Sequence, residues 1–156
     1  MEIWIGARKM PTPTGSLEHE LANLQRAAGP CLLSAQNIAS GANVKAKDDF
    51  GSTPLHTSAL LGLEEMTELL IAKGANVKVK DDFGTTPLHQ AAQEGYKEVV
   101  ELFIANGADV NSLNEDRETP LDLLSSQELI GETAETAIIL RKHGAKTGEE
   151  LKAEGK

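Results

Sequence analysis

The residues with the widest chemical repertoire in this chain are four histidines and one cysteine. Their spacing argues against catalysis. His56 and His89 each close a Thr-Pro-Leu-His run, and neither has a second ligand at short spacing. No His-Glu-x-x-His or Cys-x-x-Cys occurs, the patterns by which zinc is usually gripped. His19-Glu20 lacks the second histidine that would make it a metal motif. Gly144-Ala145-Lys146-Thr147-Gly148 has the outline of the end of a phosphate-binding loop. That loop needs glycine before the lysine and a strand upstream, and here alanine and a helical pattern stand there. There is no Gly-x-Ser-x-Gly elbow and no Gly-x-Gly-x-x-Gly. Cys31, next to a helix start, reads as a small buried residue rather than a reactive thiol. Glu64-Glu65 and Glu149-Glu150 read as solvated helix surface. The expectation is a protein with no catalytic residues, no metal and no cofactor, and so not an enzyme.

The two histidines gain meaning from the elements that hold them. Asp82-Phe83-Gly84-Thr85-Thr86-Pro87-Leu88-His89 repeats Asp49-Phe50-Gly51-Ser52-Thr53-Pro54-Leu55-His56 at a step of 33 residues. A reduced copy, Thr119-Pro120-Leu121-Asp122, follows at the same step. Gly41-Ala42-Asn43-Val44, Gly74-Ala75-Asn76-Val77 and Gly107-Ala108-Asp109-Val110 keep it too, as do Gly29, Gly62 and Gly95. A period of this length marks a stacked-repeat architecture. Low aromatic content, 3%, agrees with it, because thin layers can be filled by Leu, Ile, Val and Ala.

Thr-Pro-Leu-His opening one helix and Gly-Ala-Asn/Asp-Val closing the next resemble the ankyrin repeat. The resemblance is fullest from Gly41 to Val110, partial out to Ala145 and weak before Gly41. It implies an all-α fold, an ankyrin-repeat solenoid of stacked helix-turn-helix units with projecting hairpin fingers, and a role in protein–protein interaction. It also implies that His56 and His89 bond the threonine and neighbouring backbone, tying adjacent repeats together.

The local physics agrees. Thr53 and Thr86 suit the N-cap, and Pro54 and Pro87 the first helical position, where no amide donor is needed. Leu55 and Leu88 should point into the stack, and Ala59, Ala91 and Ala92 should let helices approach closely. Leu63, Met66, Leu69 and Leu70, then Val99, Val100, Phe103 and Ile104, form the apolar stripes of the second helices. Complete repeats are expected at 48–80 and 81–113, a C-terminal capping repeat at 114–146 and a short polar tail at 147–156 with one frayed helix. In the third repeat Arg117 replaces the finger glycine, which predicts a differently shaped finger. Pro120 to Gly144 spans 24 residues against 20 from Pro87 to Gly107, which places a four-residue insertion near Ser125 to Glu128, before a closing helix from Glu135 to His143. Arg141 on that helix gives the polar outer face that a terminal repeat requires. Residues 1–47 read as a degenerate N-terminal capping repeat. The frame position at Leu21-Ala22-Asn23 lacks Pro-Leu-His, and the Pro-broken segment 11–28 reads as an insertion.

Net charge is −9 and uneven: residues 1–47 carry +2 and the rest −11. An acidic body repels phosphate, which argues against nucleic acid and anionic membranes as ligands. It favours a protein partner with basic or mixed charge. A single cysteine suits a reducing compartment, and the N-terminus lacks a secretory pattern, so a cytoplasmic protein is expected. A monomer is expected as well. The family resemblance places partner binding on the finger tips and the exposed face of each first helix, lining the concave side. Carried onto this chain, the tips are Asp49, Phe50, Ser52, Asp82, Phe83, Thr85, Glu115, Asp116 and Glu118, and the helix face is Leu60, Leu61, Gln93 and Glu94. Lys80 and Leu113 stand at the finger bases. Phe50 and Phe83 either project as anchors or fold back along the finger stem. The leading expectation is a small stand-alone adaptor. The alternative is a regulatory or stabilising subunit acting through the basic, Pro-broken segment Arg8 to Pro30.

Overall fold

The computed structural model of the chain describes residue 41 and residues 43–125 and 131–155. Helices are α1 (Pro54–Leu60), α2 (Glu64–Ala72), α3 (Pro87–Glu94), α4 (Lys97–Ala105), α5 (Pro120–Ser125), α6 (Glu132–Lys142) and α7 (Gly148–Ala153). No strand occurs among the described residues. The first helices α1, α3 and α5 stack in chain order, as do the second helices α2, α4 and α6.

Each first helix starts where sequence puts it, with proline in its first turn and threonine before it. Leu55, Leu88, Ala59, Ala91 and Ala92 are fully buried, so the alanines set the close approach and the leucines fill the layer. Met66, Leu70, Val99, Val100 and Phe103 are buried from the second helices, while Leu63, Leu69 and Ile104 pack at the margin of the same core. Gly62 and Gly95 join the two helices of a repeat at φ +66° and +79°, where a side chain is strained. They are also where the next layer presses in. A Cβ on Gly62 would stand 2.8 Å from the Tyr96 ring, and one on Gly95 2.8 Å from Thr133 Cγ2. Thr136, fully buried, donates its hydroxyl to the Gly95 carbonyl at 2.9 Å and so bonds α6 to the layer beneath.

The C-terminal end differs from the expectation in three respects. The closing helix begins at Glu132, three residues before the expected start, because Glu132 and Glu135 both favour a first turn and Gly131 supplies the entry. The short helix expected in the tail forms as α7, and it differs from the frayed end expected only in that Leu151 is buried. A capping box starts it, with Thr147 Oγ1 accepting from the Glu150 amide and Glu150 accepting from the Thr147 amide. Arg141, expected as a bare polar face, makes a two-pronged ion pair with Glu150 at 3.0 and 2.7 Å. The Thr147 amide and then Arg141 hold the Glu150 carboxyl below the usual carboxylate range. The expected insertion near 125–128, apart from residue 125, and the expected capping repeat at 1–47, apart from residues 41 and 43–47, lie outside the described residues.

Candidate functional site

Each finger is built around one Asp or Asn side chain. Asp48 Oδ1 accepts the amides of Phe50 and Ser52, both at 2.9 Å, and the Gly51 amide closes onto the Asp48 carbonyl at 3.0 Å. Asp81 does the same for Phe83 and Thr85, at 3.0 and 2.8 Å, with Gly84 closing at 3.1 Å. Such a side chain holds a tight turn by mimicking a further backbone turn. In the third finger Asn114 takes this place, accepting the Glu118 amide at 2.8 Å, and the Arg117 amide closes onto its carbonyl at 3.1 Å. Arg117 adopts φ +63° beside +72° and +71° at Gly51 and Gly84. The third finger is therefore shaped like the others, and the expectation of a different shape is corrected. The hydrogen bonds of the turn outweigh the strain of about 1–2 kcal/mol that a side chain carries there.

Fingers are bonded to one another in register. The Asp82 amide donates to the Phe50 carbonyl and the Glu115 amide to the Phe83 carbonyl, each at 3.0 Å. At the stems Lys47 Nζ reaches the Lys80 carbonyl at 3.1 Å and Lys80 Nζ the Leu113 carbonyl at 2.7 Å. Deeper still, His56 Nε2 donates to the Thr85 carbonyl at 3.0 Å and His89 Nε2 to the Glu118 carbonyl at 3.2 Å. Donation from Nε2 leaves Nδ1 as an acceptor, and it takes both the amide and the hydroxyl of the preceding threonine. The threonine hydroxyl thus donates to the imidazole. Burial lowers the pKa of both histidines, which keeps the neutral form this arrangement requires. These are structural histidines.

With the backbone so occupied, the tips offer side chains. Phe50 and Phe83 are 63% and 58% exposed, so both project from the fingers and do not fold back along the stem. Asp49, Asp82, Glu115 and Asp116 are exposed beside them. On the helix face Leu60, Gln93 and Glu94 are exposed and Leu61 is half-buried. The other sequence-predicted residues hold repeats together as well as lying near the tips. Thr85, Glu118 and Leu113 each give a carbonyl to an inter-repeat bond, and Lys80 gives its ammonium to one. Ser52 is half-buried. The turn-holding Asp48, Asp81 and Asn114, and the stem cation Lys47, were not singled out from sequence. Their signal was available in the same step, as Lys47-Asp48 against Lys80-Asp81. The alternative site, Arg8 to Pro30, lies outside the described residues.

No group of three His, Cys, Asp or Glu residues that could hold a metal is found among the described residues. No helix among them is long and apolar enough to cross a membrane. A recess of about 620 Å³ between the third finger and α7 is lined by Asp116, Glu118, Asp122 and Glu149 together with Arg117 and Lys152.

A search of curated proteins finds no match to the chain. The family model for ankyrin repeats (3 copies) matches residues 27–114, more than half of its length. The period, the Thr-Pro-Leu-His bonding and the finger ladder all agree with that match. The chain belongs to the ankyrin-repeat family, whose members are generally protein–protein interaction modules and typically not enzymes.

Proposed function

We propose that this chain is an adaptor that binds a protein partner through its finger tips and the exposed face of its first helices. The observation that carries this is the pair of projecting phenylalanines, Phe50 and Phe83, on fingers locked to each other by the Asp82-to-Phe50 bond. Large apolar side chains held rigidly in water cost little conformational entropy on binding and make good anchors. Leu60, 44% exposed at the end of α1, adds an apolar side chain on the helix face. Exposed carboxylates at Asp49, Asp82, Glu115 and Asp116 stand on the same fingers, which favours a partner combining apolar and basic groups. The cytoplasm, a monomeric state and the lack of nucleic-acid or membrane binding belong to this same proposal. The cytoplasmic reading rests on the single cysteine, and the lack of nucleic-acid and membrane binding on the acidic body.

The test is affinity capture from lysate with the wild-type chain, a Phe50→Ala/Phe83→Ala double variant and an Ile138→Ala control. Ile138 is 67% exposed on α6, away from the tips. The double variant should lose proteins that both the wild type and Ile138→Ala retain. If all three capture the same set, the tips are not the binding surface.

A further inference from the structure

Asn106-Gly107 is the one Asn-Gly pair in the chain, and it forms the joint between α4 and the stem of the third finger. Asn-Gly is chemically special because glycine has no Cβ to crowd the ring formed when its nitrogen attacks the preceding side chain. In that reaction Gly107 N loses its proton and bonds Asn106 Cγ, while the Cγ–Nδ2 bond breaks and ammonia leaves. A five-membered succinimide results. Water then adds at one of the two ring carbonyls. Opening leaves either aspartate or an isoaspartyl link in which the main chain runs through the former side chain. Water is the only reactant consumed and ammonia the only product released.

Asn106 and Gly107 are both exposed, so solvent and base reach them. The fold nevertheless restrains each reacting group. Gly107 N–H, the attacking nitrogen, donates to the Ile104 carbonyl at 3.0 Å. Asn106 Nδ2, the leaving nitrogen, donates to the Leu102 carbonyl at 2.8 Å. The Asn106 amide donates within the same turn, and Ala108 N–H reaches back to Phe103 at 3.0 Å. Ring closure must break the first two bonds together, which unwinds the end of α4. The corresponding joints in the other repeats are Lys73-Gly74 and His143-Gly144, which lack the side-chain amide.

We propose that Asn106-Gly107 is an intramolecular deamidation site that the α4 cap holds shut, so that opening of the central repeat is recorded as a lasting covalent change. The product carboxylate replaces a donor to Leu102 at the negative end of a helix, where a further negative charge is unfavourable. The isoaspartyl product also lengthens the main chain just before Asn111, which links the third stem to Gly144 at 3.1 Å and to the Lys146 amide at 2.8 Å. Modification therefore loosens the layer above as well.

The test is to age the full chain in mildly alkaline buffer, with and without urea above its unfolding midpoint. Peptide mapping then follows the gain of one mass unit at Asn106 and the isoaspartyl fraction. Conversion should be at least about tenfold faster in urea, since folded-state reaction requires local opening. Asn76, followed by valine, should change little in either. Equal rates with and without urea would overturn the restraint, and no conversion in urea would overturn the site. Asn106→Lys, which copies Lys73, should abolish the mass gain in both conditions. The modified fraction, separated by charge, should unfold at a lower urea midpoint than the unmodified chain, and Asn106→Asp should reproduce only part of that drop. An unchanged midpoint would overturn the claim of lasting loosening.

Discussion

Gly148→Ala should destabilise this protein, although general rules predict the opposite. Gly148 is the first residue of α7 and is not among the positive-φ residues. At such a position Gly→Ala ordinarily stabilises by about 0.4–1 kcal/mol through the unfolded chain. Here an added Cβ would collide with the backbone carbonyl oxygen of Arg117 and lie 3.3 Å from Asp122 Oδ2. A carbonyl fixed in the finger turn cannot yield as a flexible side chain would. Relief requires α7 to lift, which stretches the 2.7 Å bond from the Gly148 amide to Asp122. Overpacking of this kind costs about 1–3 kcal/mol, so the net loss after the favourable entropy should be about 1–2 kcal/mol. For a chain of this length that lowers Tm by about 2–8 °C. Gly144→Ala is the control, since its Cβ meets nothing within 4 Å and only its φ of +84° opposes it. The assay is urea unfolding of both variants, with a cycle in which Gly148→Ala is combined with Asp122→Ala. The two losses should be less than additive because both break one junction. A neutral or stabilising Gly148→Ala would refute the seating of α7 on the third finger.

Arg117→Gly should stabilise by about 0.5–1 kcal/mol in the same assay, because glycine occupies φ +63° without the penalty a side chain carries; a loss would mean that the arginine side chain contributes more than its backbone strain costs. Stability should fall as pH drops below about 6.5, because burial lowers the folded pKa of His56 and His89, the unfolded chain then binds more protons, and their contribution is complete only above the unfolded value. Urea midpoints across that range should show the fall in the wild type and a shallower one in His89→Gln. Leu88→Ala, fully buried in the central layer, should cost about 2–5 kcal/mol, and Leu151→Ala less, since α7 contacts one layer only; equal losses would place the tail at the centre of cooperativity.

Much of this fold was legible because its signals are local and repeated. Proline at the first helical turn and glycine after the last fix helix ends irrespective of tertiary context, and Leu55 and Leu88 share one environment because they share one frame. Arg117 misled because left-handed φ was treated as a property of the residue. In the structure it is imposed by the Asn114 turn and by the Glu115-to-Phe83 bond of the ladder. The docking of α7 was not legible because a six-residue helix burying one leucine has no periodicity to detect. The direction of Phe50 and Phe83 was undetermined for a related reason: a turn has no face defined by period, so hydropathy cannot say whether its aromatic residue packs or projects. Once the tip backbone is known to be consumed by Asp48, Asp81 and the ladder, the exposed rings follow.

The change from histidine to aspartate at position 122 shows what allows α7 to seat on the third repeat. His56 and His89 present a donor, Nε2–H, and each repeat above answers with a carbonyl. Above the third repeat stands the start of α7, and a helix start presents free amides. A histidine facing it would set donor against donor. Asp122 reverses the polarity, accepting the Gly148 amide at 2.7 Å through the same oxygen that takes the Thr119 amide at 2.8 Å. The threonine keeps its place, with its hydroxyl 2.8 Å from both the Asp122 carboxylate and the Lys146 carbonyl. Position 122 therefore selects what stacks next. Histidine admits another finger, aspartate admits a helix N-terminus, and Gly148 supplies the missing Cβ that lets that helix come close enough to be bound.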